Sequence, residues 1–123
     1  MTGRTSGGEM DFEALRRAIE NGVPEAMLGF YADDARIRVL NGSAPPFELR
    51  GKADVHRYLR AVFGRTTTHR VVNEVVGEKR VTFEEVCEYP DGARIVVATT
   101  LEVRGGEISR QVDEVTSGKR IGR

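Results

Sequence analysis

Residues 93–116 read ARIVVATTLEVRGGEISRQVDEVT, two long runs rich in β-branched residues joined at Gly105-Gly106. Paired glycines tolerate the positive φ angles of a two-residue hairpin turn, so a register can be proposed directly. With Arg104 and Glu107 flanking the turn, strict alternation puts Val103, Leu101, Thr99 and Val97 opposite Ile108, Arg110, Val112 and Glu114. The other face of the ribbon then carries Thr100 with Gln111 and Ala98 with Asp113. Asp113 would sit in mid-strand beside short side chains. Such a carboxylate is either solvated or the floor of a pocket, and most of the functional question turns on which.

The bulk composition narrows the field. A chain of 123 residues is the size of one domain and can bury a real core. Nineteen basic residues balance nineteen acidic ones without a basic block in mid-chain, which is no nucleic-acid footprint. A single cysteine, Cys87, excludes an intrachain disulfide and fits a reducing cytoplasm. No apolar run approaches the roughly 20 residues of a membrane span. Residues 1–9, MTGRTSGGE, read as a disordered lead-in, 10–117 as one α+β domain, and 118–123 as a short basic tail.

Upstream of the ribbon the chain begins with helices. Asp11 suits an N-cap for a helix with Phe12, Leu15 and Ile19 on one face, stopped at Asn21-Gly22. Pro24 opens a second helix reaching about Tyr31, with Met27, Phe30 and Tyr31 inward. ARIRVL alternates as a strand, and NGSAPPFELRG reads as a loop because Pro45-Pro46 opposes regular pairing. Val55, Tyr58, Leu59, Val62 and Phe63 recur at helical spacing up to Gly64. Then HRVVNEVV and RVTFEEVCEY precede the ribbon, with GEK and PDG as turns. A three-residue turn at GEK puts His69, Val71, Asn73 and Val75 on the face of Val81, Phe83, Glu85 and Cys87. Helices followed by strands argue α+β, with three N-terminal helices packed on one face of a curved antiparallel sheet.

That order, with FYADDARIRV after the second helix, RGKADVHRYL opening the third and LEVRGGEISRQVDEV closing the sheet, resembles the nuclear-transport-factor-2-like superfamily. Within it the chain is similar to the SnoaL-like group, over roughly Met10 to Thr116. The resemblance implies a cone-shaped sheet half-closed by helices on its concave face, an apolar pocket and frequent homodimers through the outer face. Leu101, Val103, Ile108 and Val112 are the expected contributors to that face. Members include enzymes that use no cofactor and plain binding domains, so fold alone does not give function.

Carried over residue by residue, the resemblance gives parts of three sites. The base of ketosteroid isomerase falls near Val39, and its oxyanion-hole tyrosine and acid near Leu15 and Thr100; none of these side chains can do that work. The acid/base aspartate of limonene epoxide hydrolase and the polyketide cyclases falls on Asp113, while the hydrolase's arginine and second aspartate fall near Glu84 to Val86 and are missing. The Thr-x-His of scytalone dehydratase matches Thr67-Thr68-His69, making His69 a pocket histidine; its aspartate has only Glu20 nearby.

The resulting expectation is a protein acting on a small apolar metabolite in a hydrophobic pocket. As an enzyme it would be a cyclase, isomerase, dehydratase or epoxide-opening hydrolase with Asp113 and His69 as catalytic groups. As a non-catalytic protein it would bind a ligand or dimerise. Tyr31, Tyr58, Phe63, Asn73, Glu85, Ala98, Thr100 and Gln111 are the candidate ligand contacts. Each has a plainer reading: tyrosines as core with wet tips, Asn73 at a strand edge, Glu85 turned to water in another register, Asp113 paired with an arginine. Two histidines without spaced carboxylate partners argue against a metal, and no cofactor is implied. His56 lies on the polar side of its helix, and Cys87 has no activating neighbour in sequence.

Overall fold

The computed structural model describes residues 10–42, 44–63 and 67–117. The lead-in 1–9, the tail 118–123 and the helix stop at Gly64 lie outside them. The elements run α1 (Phe12–Asn21), α2 (Pro24–Leu28), β1 (Tyr31–Asn41), β2 (Ala44–Arg50), α3 (Gly51–Phe63), β3 (Thr68–Val76), β4 (Arg80–Glu88), β5 (Arg94–Arg104) and β6 (Glu107–Ser117). Six strands form one sheet in the order β2-β1-β6-β5-β4-β3, curved and unclosed, with the helices on one side. This is the expected α+β cone.

The helices form where local signals place them. Asp11 accepts a hydrogen bond from the Ala14 N–H at 3.1 Å, satisfying one orphan donor of α1. Gly22, at φ 68°, takes the left-handed position that ends it. Phe12, Leu15 and Ile19 are buried, and the Phe12 ring meets Phe83 of the sheet with centroids 5.7 Å apart. α3 buries Val55, Leu59 and Phe63 at helical spacing. The Glu20 carboxylate at the end of α1 accepts from the Val71 N–H at 2.9 Å, tying that helix to β3.

Two boundaries differ from the sequence reading. α2 ends at Leu28, and Tyr31 opens β1 instead of closing the helix. The segment read as a loop contains β2, antiparallel to β1 with Arg38 opposite Glu48. Its two prolines are tolerated because β2 is an edge strand and both fall in the register break between the Asn41–Ala44 and Val39–Phe47 pairs, where no ladder bond is asked of either. The sheet is also mixed: β1 runs parallel to β6, while the other neighbours are antiparallel.

Register is where the structure departs most from strict alternation. β5 and β6 pair Val103 with Ile108 as expected, but Glu102 then faces Arg110 and Ser109 is left over as a bulge. Its hydroxyl bonds to the Glu102 carbonyl at 3.2 Å. From there Leu101 faces Gln111 and Thr99 faces Asp113, one residue out of the expected step. Ile108, Gln111 and Asp113 therefore share the inner face, which unbroken alternation forbids. Leu101, Val103 and Ile108 are accordingly buried inside, not on the outer face proposed for dimerisation. Only Val112 of that set belongs outside.

The β3–β4 hairpin has a compensating irregularity. The Gly77 N–H bonds to the Arg80 carbonyl at 2.8 Å, so the turn is tighter than three residues. That alone would send His69 to the outside. A bulge between Val72 and Val75 restores it: Val76 faces Val81, yet Val71 faces Glu85 and His69 faces Cys87. Within the bulge Asn73 adopts φ 56°, a left-handed conformation that asparagine tolerates better than most residues. Asn73 and Val75 thereby leave the inner face, while His69 and Val71 keep it.

Candidate active site

Between the helices and the concave sheet lies a cavity of about 180 Å³. Its wall is apolar over most of its extent: Leu15 and Ile19 from α1, Met27 from α2, Leu59, Val62 and Phe63 from α3, and Phe83, Val97 and Leu101 from the sheet. Polar groups enter at few points, among them Tyr31, Tyr58, Glu85, Cys87, Thr99, Gln111 and Asp113. An apolar hollow with a few convergent polar groups is the usual form of a small-molecule site.

Asp113 is the centre of the first polar group. It is 6% exposed, and three side chains donate to it. The Tyr58 hydroxyl donates to Oδ2 at 2.7 Å, Thr99 Oγ1 to Oδ1 at 2.9 Å, and Gln111 Nε2 to both oxygens at 3.0 Å. Gln111 is itself oriented, since its Oε1 accepts from the Tyr31 hydroxyl at 2.6 Å. This fixes the amide with its nitrogen towards the carboxylate. Val39 of β1 flanks Asp113 on the other strand, adding no charge. Burial pushes the Asp113 carboxyl up to about 6, with the Glu85 charge acting in the same direction; the hydrogen bonds from Tyr58, Gln111 and Thr99 hold it back from rising further. Tyr58 and Tyr31 are driven above the ordinary phenol range, first by burial and then by the Asp113 charge, and so stay protonated donors.

The second group lies on β3 and β4. His69 Nδ1 is 2.7 Å from Glu85 Oε2, and Cys87 Sγ lies 3.5 Å from the same nitrogen and 3.6 Å from the same oxygen. All three residues are buried. The Phe63 ring packs on the imidazole with centroids 4.4 Å apart. His69 Nε2 has no hydrogen-bond partner among the described residues. Burial, then the Glu85 carboxylate, pushes the Cys87 thiol up, so it is protonated at neutral pH.

The structure thus sorts the residues singled out from sequence. Tyr31, Tyr58, Phe63, Glu85, Gln111 and Asp113 line the cavity. His69 does not; it stands behind Glu85 and bonds to it. Ala98 and Thr100 are misplaced by the sequence reading: Thr99 shares the buried face of Leu101 and Val103, and the Ser109 bulge in β6 brings Gln111 and Asp113 to that face, leaving Ala98 and Thr100 on the outer one. Asn73 is also misplaced: it is exposed and donates to Glu84 at 2.9 Å, serving the bulge and not a ligand. Glu85 faces inward against the plainer reading, and the lining residues missed include Thr99 and Cys87. Phe83, Glu85 and Cys87 alternating on one strand was the available signal for the latter; Thr99 had none. His56, on the helix surface, is 3.2 Å from Glu25 of α2.

A buried carboxyl with its pKa near neutrality can take a proton from a carbon or oxygen acid and return it, which is general acid/base chemistry. Among the described residues no helix is long and apolar enough to cross a membrane.

Solved structures of the same shape are numerous. An NTF2-like protein of unknown function from Mesorhizobium loti is 18% identical with a TM-score of 0.75, covering 95% of this chain and 97% of its own. A candidate ketosteroid isomerase from Kribbella flavida is 17% identical with a TM-score of 0.72, covering 91% and 79%. A candidate polyketide cyclase from Sinorhizobium meliloti is 15% identical with a TM-score of 0.63, covering 83% and 91%. At these identities the likeness is one of fold. No functionally curated protein matches the sequence. The family pattern of the SnoaL-like domain matches residues 12–111, spanning α1 through most of the closing ribbon, and the chain belongs to that family.

Proposed function

We propose that the protein is an enzyme that moves a proton on a small, largely apolar molecule, with Asp113 as the acid/base group. Ring closure, isomerisation, dehydration and epoxide opening all fall within that chemistry. The observation that carries this reading is the environment of Asp113: a carboxylate taken out of water on the wall of an apolar cavity, with a pKa raised to about 6. Such a group exists in both protonation states near neutral pH, and the step needs no cofactor. Tyr58 and Gln111 hold it in one orientation and stabilise its anionic form. Glu85, on the same cavity wall, supplies the complementary polar contact, with His69 positioning it from behind. A cavity of about 180 Å³ suits a ligand of roughly one ring, since about 150 Å³ accommodates benzene. A homodimer, from the family resemblance, and a cytoplasmic location, from the single cysteine, are part of the same proposal.

The second reading is a non-catalytic binding protein. The density of hydrogen bonds on Asp113 favours it, because each carboxylate oxygen already accepts from two side-chain donors. One experiment separates the two. Single-ring ketones, epoxides and hydroxy compounds are screened for thermal stabilisation of the protein, and each hit is followed for conversion by wild type and Asp113→Asn. The enzyme reading expects conversion that falls by roughly 10²–10⁴-fold in the variant. A ligand recovered unchanged from wild type, or turnover equal in the two proteins, defeats it.

A further inference from the structure

The proton transfer itself is assigned to Asp113; of the triad on β3 and β4 it draws only on the polar contact of Glu85, backed by His69, and gives Cys87 no part. The triad sits on the other side of β5 from Asp113, so the two groups are separate features of one cavity. Three observations about it belong together. His69, Glu85 and Cys87 offer one nitrogen, one oxygen and one sulfur whose positions all lie within 4.8 Å of one another. The three residues come from two adjacent antiparallel strands with His69 opposite Cys87, a rigid arrangement with little freedom to collapse or spread. And Glu85 and Cys87 are themselves part of the cavity wall.

The spacing can be compared with a coordination sphere. Tetrahedral zinc with bonds of about 2.0–2.3 Å separates its ligand atoms by roughly 3.3–3.6 Å. Two edges of the triad already have that length: Cys87 Sγ to His69 Nδ1 at 3.5 Å and to Glu85 Oε2 at 3.6 Å. The third, His69 Nδ1 to Glu85 Oε2 at 2.7 Å, is a hydrogen bond. It needs to open by roughly half an ångström to match the same geometry. A purely structural cluster is a costly way to fill this position, since packed apolar side chains would close the wall without desolvating an imidazole and a carboxylate. The imidazole also has its polar contacts on the Nδ1 side alone among the described residues.

We propose that His69 Nδ1, Glu85 Oε2 and Cys87 Sγ form a three-ligand site for a divalent transition metal of the zinc class, with a further coordination position turned towards the cavity. A mixed nitrogen, oxygen and sulfur set selects borderline-soft ions over magnesium or calcium. Three protein ligands with one position left open is the arrangement of metal sites that engage a ligand, as opposed to closed structural ones. An ion there would hold an oxygen or nitrogen of a guest, and the Cys87 thiol would lose its proton on binding. The site stands on its own and does not depend on Asp113 acting as an acid/base group.

The test uses the full-length protein stripped with chelator and titrated with Co²⁺, whose absorption reports both tetrahedral geometry and thiolate ligation. The expected result is saturation at one ion per chain with a sulfur-to-cobalt charge-transfer band, displaced by Zn²⁺. Cys87→Ser, a near-isosteric change, should abolish the band. Loss of affinity in Cys87→Ser and in His69→Ala should exceed the roughly 10–100-fold that loss of an outer-shell partner costs. Far-UV circular dichroism confirms that each variant is folded, and His56→Ala serves as the surface-histidine control. Asp113→Asn should still saturate at one Co²⁺ per chain with the same sulfur-to-cobalt band, so this proposal and the acid/base reading can fail separately. No saturable binding by wild type, or a band that survives in Cys87→Ser, overturns the site.

Discussion

Asp113 and Glu85 are carboxylates of nearly equal burial, 6% and 8% exposed, on the inner face of one sheet. Their company differs. Asp113 is met by neutral donors only: two hydroxyls and an amide, themselves held in place by Tyr31 and the strand pairing. Glu85 is met by an imidazole and a thiol, groups that can each carry or surrender a proton. Burial is common to both, so the company decides the chemistry. Neutral donors preorganise a single anion, whose pKa is the balance of desolvation, which raises it, against those hydrogen bonds, which hold it down. An imidazole, a carboxylate and a thiol side by side offer lone pairs that one cation could collect.

Removing the Asp113 charge should break this contrast most visibly. Its pKa is raised from 3.8 to about 6 on folding, so the native state binds this proton more tightly than the unfolded chain. The corresponding stability is fully present below about pH 3.8 and is lost as pH rises through about 6. It amounts to on the order of 3 kcal/mol. Asp113→Asn should lack this component, so urea denaturation of both proteins at pH 4 and pH 8 should show the wild type losing more stability than the variant. Parallel behaviour would mean that Asp113 is hydrated.

Tyr58→Phe should sharpen the same point. The lost bond favours the ionised carboxylate, so the Asp113 pKa should climb above its present value, read by carbon-detected NMR titration. A hydrogen bond to a charged group contributes about 1.5–3 kcal/mol, and the cost should be larger at pH 8 than at pH 4. A downward shift would contradict the donor role of Tyr58.

Smaller effects are expected from the two bulges that bring the groups inward. Asn73→Val places a β-branched residue at φ 56° and should cost about 1–2 kcal/mol in denaturant unfolding, whereas Asn73→Gly should be tolerated. The reverse order would mean that the bulge relaxes. Smallest is the comparison of Thr99→Val with its neighbour. Thr100→Val, on the outer face, should change stability by less than about 0.5 kcal/mol and leave the Asp113 titration unmoved. Thr99→Val should raise that titration, because its hydroxyl also favours the anion. Equal responses would place the register where strict alternation puts it.

Much of the candidate site is legible in the sequence. Asp113 stood out as an acid in mid-strand, and Tyr31, Tyr58, Phe63, Glu85 and Gln111 as inward-facing side chains, because helical and strand periods expose them. What misled the reading was in every case a break in period. Ala98 and Thr100 read as the neighbours of Asp113 in place of Thr99 because Ser109 looks like any other strand residue. Asn73 reads as a ligand contact because an asparagine in a strand does not announce a bulge. Pro45-Pro46 concealed β2, since a proline pair is excluded from central strands but not from an edge.

The amino-acid pattern by itself determined the three helices, five of the six strands, the caps at Asp11 and Gly22 and the hairpin at Gly105-Gly106. These follow from interactions within a few residues: capping bonds, backbone freedom at glycine, and the alternation of apolar side chains. Only the tertiary structure decided which carboxylate meets which donor. A sheet that curves around helices must absorb extra residues in bulges, and where it does so depends on packing between strands distant in sequence. A shift of one residue moves a side chain to the other face of the sheet. That shift is what puts Thr99, and not Ala98, beside Asp113.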